Sequence, residues 1–211
     1  FTFFLMLRDS APKSYDNWLL TGEGIWAFFM LPMSVTALTA LVAQMEHGPK
    51  SWDHLRALPL PRWRLYAAKA VSVIAVVALM SVLTLALTWG AVEAASALKP
   101  AVRPESAPDL AKHALILVKM LGASMLLIAL QLWMALRFAS FVPGLALGIG
   151  GTFFAVVATS AKAGVFMPWQ MPVNMLASEQ WRADTALALG GVGGWVALVL
   201  TVAHLAAREV R

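Results

Sequence analysis

Five predominantly apolar runs govern what this chain can fold into: Ile25 to Met45, Ala70 to Trp89, Ala114 to Leu136, Phe138 to Ala161 and Thr185 to Ala207. A helix of about 20 residues crosses the hydrocarbon core of a bilayer, and each run reaches that length. Lipid offers no partner to an unpaired backbone group, so each run is read as a helix. Composition agrees. Of 211 residues, 60% are apolar and 13% charged, with a mean hydropathy of +0.74, whereas a soluble domain is nearer half apolar and a quarter charged. The absence of cysteine excludes disulfides and thiol-based metal or redox centres. The net charge of +5 is clustered, which suits contact with membrane lipid and not a nucleic-acid groove.

Residues 1 to 7, FTFFLML, are apolar but too short to span, and no basic flank marks a signal peptide. They read as the tail of a first span. The expected fold is therefore an all-α polytopic membrane protein of six transmembrane helices, the first truncated, forming one domain over 1–211. Two glycine pairs, Gly144 with Gly148 and Gly190 with Gly194, have the GxxxG spacing that lets helix backbones approach closely in lipid. Pro32 lies inside a span and is expected to kink it. Trp18, Trp26, Trp63, Tyr66, Trp89, Trp169 and Trp181 fall near span ends, as an interfacial belt would.

Between the first two complete spans lies MEHGPKSWDHLRALPLPRWRLYAAK, residues 45 to 69. It holds two carboxylates, two histidines, five Lys or Arg, two Trp and three prolines. Placing it inside gives eight basic residues to each side of the membrane, and density breaks the tie: five of them fall within 20 residues here, next to span ends, where they act most strongly on insertion. Gly48 and Pro49 stop the span. Ser51 can cap a short helix that Pro59 ends, because the residue before proline avoids the α region. In that helix Trp52, Leu55 and Leu58 or Ala57 share one face, while Asp53, His54 and Arg56 project elsewhere. Pro61 suits the first turn of the next helix, and Arg62, Trp63, Arg64, Tyr66 and Lys69 form a basic, aromatic anchor at headgroup level.

The order Glu46, Trp52, Leu58-Pro59, Arg62 and Ala68-Lys69 resembles the first cytoplasmic loop of bacterial ABC exporter permeases of the type-two class. The branch associated with lantibiotic immunity and bacitracin resistance is the most similar, and Pro168-Trp169-Gln170-Met171-Pro172 resembles a Pro-Trp turn found in it. Pro61 departs from the pattern, where a small polar residue is usual. The resemblance implies that residues 46–66 form a coupling loop whose helix docks in a separate ATPase subunit, with Glu46, Trp52, Asp53, Leu55, Arg56 and Leu58 at the contact. Glu46 could pair with basic or backbone donors on that partner, or with His47 or Arg62 of its own loop. It further implies two ATPase copies that bind ATP and Mg, a second permease copy or paralogue, and residence in the bacterial cytoplasmic membrane.

The chain itself is not expected to be an enzyme. It has no G-x-x-x-x-G-K-[ST] phosphate loop, Gly48-Pro49-Lys50-Ser51 imitating only its end. His47, Asp53 and His54 match no zinc pattern, so no metal is expected. His204 reads as a satisfied polar group near a span end, and Lys119 as a snorkelling cation. Glu23 and Glu93 fall at outer span ends, solvated or lining an exit. Residues 91–112 read as a linker over the spans, and 161–184 as a re-entrant or interfacial segment. Few ionisable groups lie at depth, which favours a hydrophobic or amphipathic cargo such as a peptide antibiotic, a drug or a lipid. The rival classes are a secondary transporter and a membrane scaffold subunit without an ATPase.

Overall fold

The computed structural model describes residues 1–9, 13–47, 61–138 and 140–207, and all regular structure among them is helical. The helices are α1 (Thr2–Arg8), α2 (Tyr15–Ile25), α3 (Leu31–His47), α4 (Arg62–Leu98), α5 (Leu110–Ala123), α6 (Met125–Arg137), α7 (Val142–Val157), α8 (Gln180–Ala186) and α9 (Gly194–Ala207). A π-helical turn, Trp26–Met30, joins α2 to α3, and a second, Leu187–Gly193, joins α8 to α9. Among the described residues three helices are long and apolar enough to cross a membrane: Tyr15–Met45, Arg62–Leu98 and Gln180–Ala207. A fourth is the pair α5 and α6, taken as one span bent by 41°. This is the expected all-α polytopic class.

The helices outrun the apolar windows. Helix α4 continues from Trp89 to Leu98, and the second span begins at Tyr15, ten residues before Ile25. Backbone hydrogen bonding does not stop at the edge of the hydrocarbon, and local caps decide the ends instead. Ser14 accepts from the Asn17 amide at 3.3 Å and Asp109 from the Lys112 amide at 3.0 Å, which fixes the starts of α2 and α5. Conversely, α7 covers only 142–157 of the run 138–161, since Pro143 lacks an N–H and is tolerated only in a first turn. Pro32 is accommodated by the π turn before it. The Leu31 amide bonds to the Trp26 carbonyl, one residue further back than in an α-helix.

Helix α6 is the centre of the bundle, with Leu127, Ile128, Gln131, Leu132 and Ala135 all buried. It packs against α3, α7 and α9. Helix α4 turns one seam inward, Tyr66, Ala70, Val73, Val77 and Ser81 at steps of three or four residues. Its other faces expose Val71, Leu79, Val82, Leu83 and Leu87, the pattern of a helix bathed in lipid. Because successive spans reverse direction, the end of α3, the start of α4, the end of α6 and the end of α9 lie on one face, here called the loop face, where they add Ala43, Tyr66, Leu136 and Leu205 to the main core cluster. A second cluster of Met6, Tyr15, Trp18, Leu19, Val92, Ala95 and Val102 builds the opposite, or far, face. The Lys99 ammonium there donates to the Leu7 and Asp9 carbonyl oxygens at 3.1 and 2.6 Å, satisfying the open end of α1.

The aromatic residues divide. Trp63, Trp89 and Trp181 are exposed, as a belt requires, whereas Trp18, Trp26, Tyr66 and Trp169 are buried as packing groups. The Trp169 ring fills the space a side chain on Gly151 would need. The segment 158–180 is folded into the far end of the bundle, with Val165, Trp169, Gln170, Met171 and Asn174 buried. Gln170 donates to the Ala155 carbonyl and the Thr159 hydroxyl, Asn174 to the Gln170 carbonyl, and Arg182 to Asn174. The stretch between α4 and α5 likewise tucks Val102 inside.

Candidate functional site

On the loop face, Glu46 falls in the last turn of α3, while Trp52, Asp53, Leu55, Arg56 and Leu58 lie outside the described residues. The chain is described again from Pro61, which is extended, with φ −64° and ψ 131°, and serves as the N-cap of α4. Proline suits that boundary because it has no amide to leave unpaired. The first turn then carries the basic, aromatic group. Trp63 is 52% exposed with the Arg64 guanidinium 5.6 Å from its ring, and Lys69 lies 5.5 Å from the Tyr66 ring. Tyr66 itself is buried in the core, so this face of α4 is gripped by the bundle while Arg62, Trp63 and Arg64 stay outside it.

At mid-depth the predicted glycines are contact points. A Cβ on Gly148 would overlap the Thr36 hydroxyl and the Gln131 amide, one on Gly190 the Ala123 carbonyl, and one on Gly194 the backbone of Met125 and Leu126. A Cβ on Gly144 would stand 3.4 Å from the Ala135 backbone. Around the first pair runs a polar seam that no sequence pattern announces. The Gln131 amide lies 3.3 Å from Thr36 Oγ1. In the orientation that satisfies both of its ends it donates to the Gly144 carbonyl and accepts from the Gly148 amide, each at 3.1 Å. Thr36 donates to the Pro32 carbonyl at 2.9 Å, Thr39 to Val35 at 2.8 Å and Thr152 to Gly148 at 2.7 Å. All four polar side chains are buried, so this seam binds α3, α6 and α7 to one another and lines no open path.

At the far face an ionic cluster joins three helices. Glu23 of α2 is 1% exposed, which corrects its reading as a solvated span end. It is enclosed by α5, whose fully buried His113 places Nδ1 at 3.0 Å from Glu23 Oε1 and Nε2 at 3.2 Å from Asp16 Oδ1. Lys112 Nζ stands 2.6 Å from Asp16 Oδ2, and the Tyr15 hydroxyl donates to Glu93 of α4 at 2.8 Å. Sequence pattern does not single out His113. Its one local signal is that a polar residue follows the helix-capping Asp109 by four positions, at the head of an apolar run. Lys119 faces outward, and His204 is exposed with its ring 6.4 Å from Trp133.

No group of His, Asp or Glu able to hold a metal ion occurs among the described residues. An apolar groove of about 380 Å³ opens between α1, the Trp26–Met30 turn and α4, lined by Trp26, Met30, Met80, Leu83 and Leu87, with Thr84 and Thr88 as its polar points. Its chemistry suits a lipid-like chain, not a charged solute.

No curated protein and no solved structure matches the chain. Residues 1–158 match the family described as ABC-2 family transporter protein, a stretch that takes in α1 to α7 and the segment between α3 and α4. The chain belongs to the ABC-2 transporter family, as a membrane permease component of an ABC transporter.

Proposed function

We propose that the chain is the permease subunit of an ATP-driven exporter of the bacterial cytoplasmic membrane, moving a hydrophobic or amphipathic substrate such as a peptide antibiotic, a drug-like compound or a lipid. In this reading residues 46–66 are the coupling loop. Two copies of an ABC ATPase, holding ATP and Mg, grip it through Glu46, Trp52, Asp53, Leu55, Arg56 and Leu58. A second permease copy or a paralogue completes the pathway, and the lantibiotic-immunity and bacitracin-resistance branch is the nearest functional kin.

The observation that carries the reading is that the family match spans this loop, and the length of the helix that leaves it supports it: α4 is 37 residues without a break. At 1.5 Å per residue α4 is about 55 Å long, well over the hydrocarbon thickness. A displacement imposed at Arg62 is therefore carried, with no hinge to absorb it, past the core seam to Glu93 and Lys99 at the far face. A partner can drive such an element only through contacts that differ between its two states. The exposed Arg62, Trp63 and Arg64, at the end of the loop, fix the depth at which that push is applied.

The test is purification of the intact chain in nanodiscs with the co-purifying proteins identified by mass spectrometry. A stoichiometric ATPase carrying a phosphate-binding loop, lost in the double variant Trp52→Asp with Leu55→Asp, is the expected result. A chain that purifies alone, unaffected by that variant, removes the ATPase partner and the coupling loop together.

A further inference from the structure

The far-face cluster makes a chemical demand that transport coupling does not explain. Both ring nitrogens of His113 face carboxyl oxygens, Glu23 Oε1 at 3.0 Å and Asp16 Oδ1 at 3.2 Å. A neutral imidazole has one N–H and one lone pair. It can donate to one carboxylate only, and its lone pair would then oppose the lone pairs of the other. Two hydrogen bonds require one more proton, on the ring or on a carboxyl group.

Charge leads to the same place. Lys112 balances Asp16 at 2.6 Å, but Glu23 is 1% exposed and its Oε2 has no hydrogen-bond partner among the described residues. Among the described residues no second cation stands within ion-pair distance of Glu23, Arg8 of α1 included. Helix α4 contributes Glu93, already bonded to Tyr15, the first turn of α5 adds Asp109 as its cap, and the turn Val173–Leu176 carries no charge. Arg182, beyond that turn, is engaged by Asn174. With a neutral ring the cluster holds a net negative charge against an apolar wall, an arrangement proteins avoid by pairing or by protonation.

We propose that Asp16, Glu23 and His113 form a proton-binding site that locks the start of α5 to α2 at the far face while the proton is held. Asp16, with its side chain 34% exposed, is the edge through which the proton enters. Glu23 is the buried group whose charge holds it. When the proton leaves, the two carboxylates compete for one N–H and the Asp16 contact, the wetter of the two, opens. The site is independent of any ATPase partner, so its failure and that of the export reading are separable.

The test is thermal unfolding of the full chain in nanodiscs from about pH 5.5 to about pH 8.5, wild type against Glu23→Gln. The variant leaves His113 a hydrogen-bonding neighbour and makes the cluster neutral without the extra proton. If the folded state binds one proton more than the unfolded chain, stability falls as pH rises. The wild type should then lose about 2–4 °C per pH unit relative to Glu23→Gln through the window in which the proton leaves. Parallel curves overturn the proposal. A second measurement leaves the cluster intact: nitrogen-15 histidine NMR and infrared spectra of the chain carrying His47→Gln, His54→Gln and His204→Gln. At about pH 7.5 a doubly protonated ring, or a neutral ring with a carboxylic-acid carbonyl band, is expected. A neutral ring beside two ionised carboxylates at that pH overturns the site.

Discussion

Gly190 stands so close to Ala123 that a Cβ on the glycine would overlap the alanine's carbonyl oxygen. The glycine belongs to the π turn before α9 and the alanine to the last turn of α5, so one irregular turn is seated in the bend of its neighbour. The fit leaves no room for a methyl group, and overpacking of this kind typically costs about 1–3 kcal/mol. Gly190→Ala should therefore lower the unfolding temperature of the detergent-solubilised chain by about 4–8 °C. Gly150, on α7 with open space where a Cβ would stand, is the control: Gly150→Ala should be neutral or raise the midpoint slightly, since alanine favours the helix by about 0.5–1 kcal/mol. Equal shifts in the two variants would mean that helix propensity, and not contact, governs both.

Lys99→Met removes the donor that closes the end of α1. Charge-assisted bonds to backbone carbonyls contribute about 1.5–3 kcal/mol, part of which is lost to water in this partly exposed site. Amides of Thr2–Arg8 should exchange with deuterium about tenfold faster, with α6 unchanged. Unaltered exchange in α1 would show that the Met6 and Trp18 packing alone holds it.

Gln131→Leu keeps the volume of a buried side chain but removes the bridge to Gly144 and Gly148. Interhelical polar contacts in membrane proteins average about 0.6 kcal/mol and reach about 1.7. A fall of about 1–5 °C in the melting midpoint is expected. A much larger loss would indicate that the seam sets the register of α3, α6 and α7 rather than adding to their cohesion.

Glu46→Gln tests the loop from the one residue of the proposed ATPase contact that is described. Insertion and the yield of folded chain should match the wild type, while substrate-stimulated ATP hydrolysis by the assembled complex drops several-fold. If hydrolysis and stimulation are both retained, Glu46 is not part of the coupling contact.

How much of the fold and site is legible in the sequence depends on how local the cause is. The apolar runs, the start of α4 after Pro61 and the close approaches at Gly148 and Gly194 all follow from residues a few positions apart, and a pattern in sequence carries them. Helix ends are missed where hydropathy alone sets them: it would stop α4 at Trp89, and it passes over the caps Ser14 and Asp109 that start α2 and α5. Glu23 is misread and Gln131 and His113 go unnoticed for one reason. What buries Glu23 is a histidine 90 residues away, and what satisfies Gln131 is the backbone of Gly144 and Gly148 on the neighbouring helix. Proximity of that kind is made by the packing of whole helices. The same holds for Trp18, Trp26 and Trp169, whose places near span ends suggest lipid headgroups and whose actual neighbours are other helices.

The 41° bend between α5 and α6 makes that span an elbow. Its outer arm, the 14 residues of α5, is about 21 Å long. Opening or closing the joint by about 10° moves His113, about 16 Å along the arm from the joint, by about 3 Å, as far as the 3.0 Å that separates it from Glu23. A small change of angle deep in the membrane thus suffices to unfasten the far face, and the joint turns at Ser124, buried and bonded to the Leu121 carbonyl at 2.7 Å, against a bearing made of glycine.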